Sequence, residues 1–362
     1  MRKVLIIIGK LCIGGAERVG RDIGVGADPT QYEIHYLVFG PEIGEYEAEV
    51  QAAGCKVIHM DSPSAGYAVY FRSLRRLMRR ERYDVIHAHT MFNSGWAMLA
   101  GKLCGVPVRI AHSHSIRGFE KRNLLKNTYE KTMRVLIRAF ATELVACGWD
   151  AGAWLFGEKT FAGKGKLIYN GIDLQDYAFD EAAREAIRTE LKLQNAFLIG
   201  HAGHLAAVKN QSFLVELMPR ILQIKPDAHL LLLGDGTDRD MLEEKLRELD
   251  IRAHVTMTGN VSKVGAYLSA MDVFAFPSLY EGMPLALVEA QANGLPCCVS
   301  DRIPKDAKIT ELIRSLPLEP DDWLMPLTEA ARGDADRPLE QLRELGFGVE
   351  GMLKKIYALY EE

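Results

Sequence analysis

Two acidic residues eight positions apart, Glu281 and Glu289, frame the stretch SLYEGMPLALVEAQANGLP at 278–296. Pro284 suits the first turn of a helix, because its φ is already fixed and its missing N–H is not needed there. The helix then runs through PLALVEAQAN to Gly294. Glu281 falls in the loop before it and Glu289 in its second turn, ~7.5 Å further along the axis at 1.5 Å per residue. The amides of Gly282, Met283 and Leu285 at such a start can hold an anion, and each carboxylate can accept hydrogen bonds from a diol. One anion between two diols describes a nucleotide sugar: hexose, diphosphate, ribose. Taken alone, the pair serves equally well as helix-dipole and surface groups.

Other residue sets point toward phosphate and sugar. In HAGHLAAVKNQSFLVEL (201–217), Gly203 ends a strand and Lys209 and Asn210 open a helix. A lysine beside the free N–H groups of a helix start makes a diphosphate site, although a lone surface lysine is the commoner case. GKLCIGGAER (9–18) is a Gly-rich turn after the first strand, where a ligand can approach backbone N–H groups closely. It spells neither the spaced G-x-G-x-x-G fingerprint nor a P-loop, which disfavours a dehydrogenase. LLLGDGTDRD (231–240) is a second strand-to-glycine turn that is also ordinary turn chemistry. His112 and His114 stand two apart at a strand end and so point to one face. His87 and His89 form a similar pair, read here as hydrogen-bonded core histidines.

The elements that must position these residues alternate along the chain. Strands are expected at 3–8, 32–39, 55–60, 84–88, 108–113, 143–147 and 166–170, then at 197–203, 229–234, 254–259, 273–278 and 296–300. Helical stretches fill most gaps, notably 15–25, 68–81 and 120–140. Continuously apolar strands alternating with helices predict parallel sheets covered on both faces. Two such sets in succession predict two doubly wound α/β domains, over 1–175 and 176–345. Asn170–Gly171 marks the turn between them, and Asp180 caps the helix that restarts the pattern. Residues 346–362 read as an amphipathic closing helix.

At 362 residues, 48% apolar and 25% charged, the composition is that of a two-domain globular protein. No apolar run approaches the ~20 residues of a membrane span, and the start lacks a signal-peptide core and cleavage site. Six scattered cysteines without C-x-x-C suggest neither zinc ribbon nor disulfide framework, so reduced thiols and a cytoplasmic location are expected. Residues 1–180 carry 24 Lys+Arg against 19 Asp+Glu, whereas the remainder carries 20 against 29. A basic first half suggests an anionic partner. In FRSLRRLMRRER (71–82), arginines interleave with Leu74, Leu77 and Met78, a pattern suited either to a solvated face or to an amphipathic helix on an anionic membrane. The rest of the excess lies over 117–140. Nothing suggests nucleic acid.

The order of these pieces resembles the family-four retaining glycosyltransferases of the GT-B fold over nearly the whole chain. EGMPLALVEA followed by NGLPCCVSD is similar to that family's E-x7-E element. GGAER, DVIHAH, VPVRIAHSHS, LIYNGIDLQDY, GHLAAVKN, LLLGDG and AMDVFAFPSLYEG stand in the matching order. The closest likeness is to bacterial members that build surface polysaccharides. The resemblance implies two Rossmann-like domains facing each other across a cleft. The acceptor would lie on the first and the nucleotide sugar on the second, with the closing helix packed back toward the first.

Carried over residue by residue, the resemblance gives Glu281 the transferred sugar's hydroxyls, with the Gly282, Met283, Pro284 and Leu285 backbone nearby. Glu289 takes the ribose diol and Lys209 the diphosphate. MTGNV (257–261), including Asn260, matches the base-binding turn, where a uracil or similar ring would be read. Gly15 abuts the diphosphate from the first domain. His112 and His114 lie on the acceptor side, and His114 is placed near the anomeric carbon. The chain departs from the family at His204, where an arginine is usual. The implied reaction is hexosyl transfer with retention from a nucleotide sugar, UDP by preference, to a glycan or lipid-linked acceptor at the inner membrane face. No cofactor is implied, since the nucleotide sugar is a substrate. No metal is implied either: DRD at 238–240 falls on a helix start and no other Asp-x-Asp stands where a metal–diphosphate bridge would want one. The competing readings are a nucleotide-sugar epimerase of the same fold and a non-catalytic two-domain sugar-binding protein.

Overall fold

The computed structural model describes residues 1–114, 124–333 and 336–362. They form two units, Met1–Gly171 with Val349–Glu362, and Ile172–Gly348. The first unit therefore ends four residues before the expected boundary, and the second runs three residues past it.

In the first unit, seven strands form one parallel sheet: β1 (Arg2–Ile7), β2 (Tyr32–Phe39), β3 (Lys56–Met60), β4 (Val85–Ala88), β5 (Val108–Ser113), β6 (Glu143–Ala146) and β7 (Gly165–Leu167). Their order is β3-β2-β1-β4-β5-β6-β7. Strand residues alternate between two cores, as the period of two requires. Leu5, Ile7, Leu37, Ile86 and Ala111 pack on one face, with Leu74, Leu77 and Met78 of the helix Tyr67–Glu81. Val4, Ile6, Tyr36, Val85 and Ile110 pack on the other, with Val19 and Ile23 of the helix Gly15–Val25. The helix Val349–Tyr360 closes this second face with Met352, Ile356, Leu359 and Tyr360. Tyr360 is wholly buried, and Tyr357 Oη donates to the Ile23 carbonyl at 2.8 Å.

Burial of Leu74, Leu77 and Met78 corrects one expectation. These side chains anchor their helix to the sheet, so none is free to enter a bilayer. The outward face instead carries Arg72, Arg76, Arg79 and Arg80, all exposed, while Arg75 lies with its guanidinium 5.7 Å from the Phe71 ring centroid. Of the helix expected over 120–140, residues 120–123 lie outside the described residues, and Leu124–Phe140 is helical.

The second unit has six parallel strands: β8 (Phe197–Ala202), β9 (Ala228–Leu233), β10 (Val255–Gly259), β11 (Val273–Phe276), β12 (Cys297–Ser300) and β13 (Ile313–Leu316). Their order is β10-β9-β8-β11-β12-β13. The sequence reading omits β13. Its residues IRSL include two exposed positions, because an edge strand needs no continuous apolar run. Asp180 caps the helix Glu181–Glu190 as expected, accepting from the Ala183 amide at 3.0 Å. In both sheets the chain grows outward in one direction and then restarts on the other side of the first strand. The switch points fall between β1 and β4 and between β8 and β11. Loops at the carboxyl ends of such strand pairs splay apart and leave a crevice for ligand.

Candidate active site

At the second unit's switch point, the loops after β8 and β11 carry Lys209 and Glu281. Lys209 Nζ donates to Glu281 Oε1 at 2.7 Å, with side chains 19% and 12% exposed. Two backbone-level ties fix this meeting: the Leu279 amide donates to the Val208 carbonyl at 2.8 Å, and Asn210 Nδ2 to the Pro277 carbonyl at 3.3 Å. Lys209 Nζ also sits 5.1 Å from the Phe276 ring centroid at the end of β11, a cation–π contact that holds the ammonium in place. Two opposite charges from different loops at one crevice have a use beyond stability: the ammonium can take phosphate oxygens and the carboxylate can take hydroxyls.

Glu281 leads into the helix Leu285–Ala292, whose N-cap is Pro284. No hydrogen bond engages the amides of Gly282, Met283, Leu285 and Ala286 among the described residues. They are the free donors that a helix start offers an anion. Glu289 lies on the same helix and is only 8% exposed. Glycines let the neighbouring strand ends close up around the crevice. A Cβ on Gly234 would stand 2.3 Å from the Gly203 carbonyl oxygen, and Gly234, with φ +121°, donates its amide to the Gly259 carbonyl at 2.9 Å. His204 and Asn260 are both exposed. The His204 carbonyl accepts from Gln211 Nε2 at 3.0 Å, which fixes its backbone and leaves the ring to solvent.

The first unit's switch point carries four histidines from β4 and β5. The register sets His87 beside Ile110, so His89 continues opposite His112, and the contacts His87–His112 and His89–His114 are diagonal, each offset by two residues. The His87 and His89 ring centroids lie 4.2 Å apart, and those of His112 and His114 4.0 Å. Across the strands His87 Nε2 meets His112 Nδ1 at 3.1 Å, and His89 Nδ1 meets His114 Nε2 at 2.7 Å. His87 Nδ1 is also 2.9 Å from Tyr360 Oη of the closing helix. Burial drives all four rings toward the neutral form. His87 falls to about 3 and His114 to about 4, and His89 and His112 fall well below the usual histidine range. At the other side of this switch point Gly15 opens its helix. A Cβ on the preceding Gly14 would stand 2.3 Å from Glu17 Oε2, so a carboxylate already occupies that helix start. Burial raises the Glu17 pKa.

Comparison with known proteins decides the family. The family model for glycosyl transferases group 1 matches residues 183–310, and that for Glycosyltransferase Family 4 matches residues 13–176. EpsF of Bacillus subtilis (strain 168), described as a glycosyltransferase, is 32% identical over an alignment of 383 residues that covers 100% of this chain and 97% of EpsF. This chain is a family-four glycosyltransferase.

This glycosyltransferase is also 30% identical over 239 residues to the UDP-Gal:alpha-D-GlcNAc-diphosphoundecaprenol alpha-1,3-galactosyltransferase of Escherichia coli, covering 63% of this chain and 60% of that one. HepE of Anabaena, solved in complex with UDP-glucose, superposes with a TM-score of 0.81 at 20% identity, covering 99% of each chain. The fold is GT-B.

Of the residues picked from the glycosyltransferase sequence, Lys209, Glu281, Gly282, Met283, Pro284 and Leu285 gather at one crevice, with Glu289 on the helix they begin. His112 and His114 share a face as expected. The sequence reading missed that His87 and His89 complete the same block, and that Tyr360 reaches it. The signal was present: same-face histidines two apart on consecutive strands become neighbours once those strands pair in parallel.

Proposed function

We propose that this glycosyltransferase moves a hexosyl group, with retention, from a UDP-sugar to a lipid-linked glycan acceptor in surface-polysaccharide assembly. The observation that carries the reading is the Lys209–Glu281 pair at the switch point of the second unit, beside a row of free helix-start amides. On donor binding, Lys209 leaves Glu281 for the diphosphate oxygens, and Glu281 accepts hydrogen bonds from hexose hydroxyls. The Gly282, Met283 and Leu285 amides share the phosphate charge, and Glu289 accepts from the ribose diol. Gly15, His204 and Asn260 remain donor-side candidates through their places at helix start, loop and base turn. His114, held neutral by burial, remains the acceptor-side candidate.

In the transfer step the anomeric carbon–oxygen bond to the diphosphate breaks and a bond to the acceptor oxygen forms on the same face. The acceptor's proton passes to the departing diphosphate oxygen. Lys209 and the amides stabilise the charge that grows on the leaving group, which is why no metal bridge is required. The relative from Escherichia coli supports the donor and acceptor classes, since its own name gives UDP-Gal and a diphosphoundecaprenol-linked sugar. The test is incubation with UDP-α-hexoses and a polyprenyl-diphosphate-linked sugar, without added Mg²⁺ or Mn²⁺, with product anomers read by NMR. An α-linked product supports the reading. A β-linked product overturns retention, and free sugar isomer formed without acceptor would favour an epimerase.

The acceptor class also predicts where the protein works. Arg72, Arg76, Arg79 and Arg80 are exposed on one helix, and Leu124, Leu125 and Val135 are 81%, 82% and 61% exposed on the helix Leu124–Phe140. Each basic residue near an anionic leaflet contributes ~1 kcal/mol, screened by salt. The protein should therefore sediment with phosphatidylglycerol vesicles and come off as salt rises. Changing the four arginines to Gln should weaken vesicle binding by at least about a hundredfold and spare transfer to a water-soluble acceptor. Equal sedimentation of the quadruple variant would remove this helix from the membrane reading.

A further inference from the structure

The four-histidine block does more than transfer requires, since the reaction uses only its corner, His114. His87, His89 and His112 are 0%, 6% and 1% exposed, and one ring nitrogen from each lies within 4.8 Å of those from the other two. A buried neutral imidazole ordinarily spends both nitrogens, one as donor and one as acceptor. His89 spends Nδ1 on His114 and leaves Nε2 buried with no partner, and His112 spends Nδ1 on His87 and leaves Nε2 in the same state. Two unspent nitrogens in a dry interior each carry a desolvation cost, unless something that accepts lone pairs occupies the site.

We infer that His87, His89 and His112 form a binding site for a borderline first-row divalent cation, with Zn²⁺ the ion that the three imidazoles suit best. The donor set is all nitrogen, which suits Zn²⁺, Cu²⁺ or Ni²⁺ and disfavours Mg²⁺ and Ca²⁺. Tetrahedral zinc with bonds of ~2.0–2.1 Å sets its nitrogens about 3.3 Å apart. The nearest ring nitrogens of the three histidines, within 4.8 Å of one another, would close by about 1.5 Å to reach that spacing. Outer hydrogen bonds are already in place for two of the three ligands, His87 and His89. Tyr360 Oη holds His87 Nδ1, which leaves His87 Nε2 to coordinate once its contact with His112 is given up. His114 Nε2 holds His89 Nδ1, which leaves His89 Nε2 to coordinate. Coordination through Nε2 places the His89 proton on Nδ1, so His114 Nε2 must accept it and the remaining His114 proton resides on Nδ1. The cation thus acts on the reaction only by fixing the tautomer and orientation of His114. The site is independent of the donor reading, and its test does not use turnover.

Untagged full-length protein is loaded with Zn²⁺, dialysed against zinc-free buffer containing excess Mg²⁺, and analysed for retained zinc, with Co²⁺ substitution followed by visible absorption. The expected result is about one equivalent of zinc retained and the intense d–d bands of four-coordinate Co²⁺. His89→Gln and His112→Gln should each lower retention at least about tenfold, whereas His59→Gln at the half-exposed end of β3 should leave it unchanged. Failure of either cluster variant to fold leaves the wild-type cobalt spectrum to decide. Loss of all zinc on dialysis, a weak six-coordinate cobalt spectrum, or retention lowered by His59→Gln alone would overturn the proposal.

Discussion

Glu281→Ala should cut transfer by about a hundredfold or more while leaving the thermal midpoint within a few degrees of wild type. The carboxylate lies in a loop, outside either sheet, so its loss removes no strand or helix contact. It does remove the partner that holds Lys209 in the crevice, 2.7 Å away. Lys209→Ala should have an effect of similar size, and the double variant should be little worse than either single one, because groups that act as a unit lose their function together. Glu289→Ala should instead act mainly on donor affinity, through charge-assisted hydrogen bonds worth ~1.5–3 kcal/mol. Steady-state kinetics over a range of donor concentrations separates the cases. Wild-type turnover in Glu281→Ala, or fully additive losses in the double variant, would dissolve the site as drawn.

The first unit should lose stability steeply between about pH 6.5 and pH 4, measured in EDTA as the urea midpoint followed by fluorescence. The sign follows from the buried histidines. Their folded pKa values are lowered, His87 to about 3 and His114 to about 4, so between these values and the unfolded value the unfolded chain binds more protons. Stability is complete above the unfolded pKa and drains away as pH falls toward the folded one. Each of these two rings contributes about 3 kcal/mol over that window, at 1.36 kcal/mol per pH unit. Domains of this kind have only about 5–15 kcal/mol in total, so the effect is large. A midpoint unchanged from pH 7 to pH 4.5 would show that the rings are hydrated or already charged in the folded state.

The sequence made the fold legible because parallel strands buried on both faces cannot hide: VLII, LLLL and FAF declare themselves. The meeting of Lys209 and Glu281 was legible for a related reason. Its residues lie close to strand ends and to one helix start, where local spacing is already geometry, and Lys209 and Glu281 fall on the two loops that the switch point must bring together. Three things were not legible. β13 carries polar residues because only part of it is covered, and the apolar face of the arginine-rich helix looked free until the sheet that buries it was in view. The histidine block depended on strand register and on a tyrosine 273 positions away, which one-dimensional periodicity cannot supply.

That tyrosine sets a condition on how the protein comes into being. Helix Val349–Tyr360 leaves the ribosome after the whole second unit, yet it covers one face of the sheet that begins at Arg2. Glu361 accepts from Arg2 Nε at 3.1 Å, and Glu362 from Lys166 at 2.7 Å, so the chain's two ends are tied together in one unit. During synthesis the intervening unit, Ile172–Gly348, is complete while the earlier one still exposes an apolar face. A nascent chain paused or clipped just short of residue 349 would thus present a finished second unit attached to an uncapped sheet, a natural client for chaperones. The helix Val349–Tyr360 acts as the closing step that makes the order of emergence differ from the order of completion.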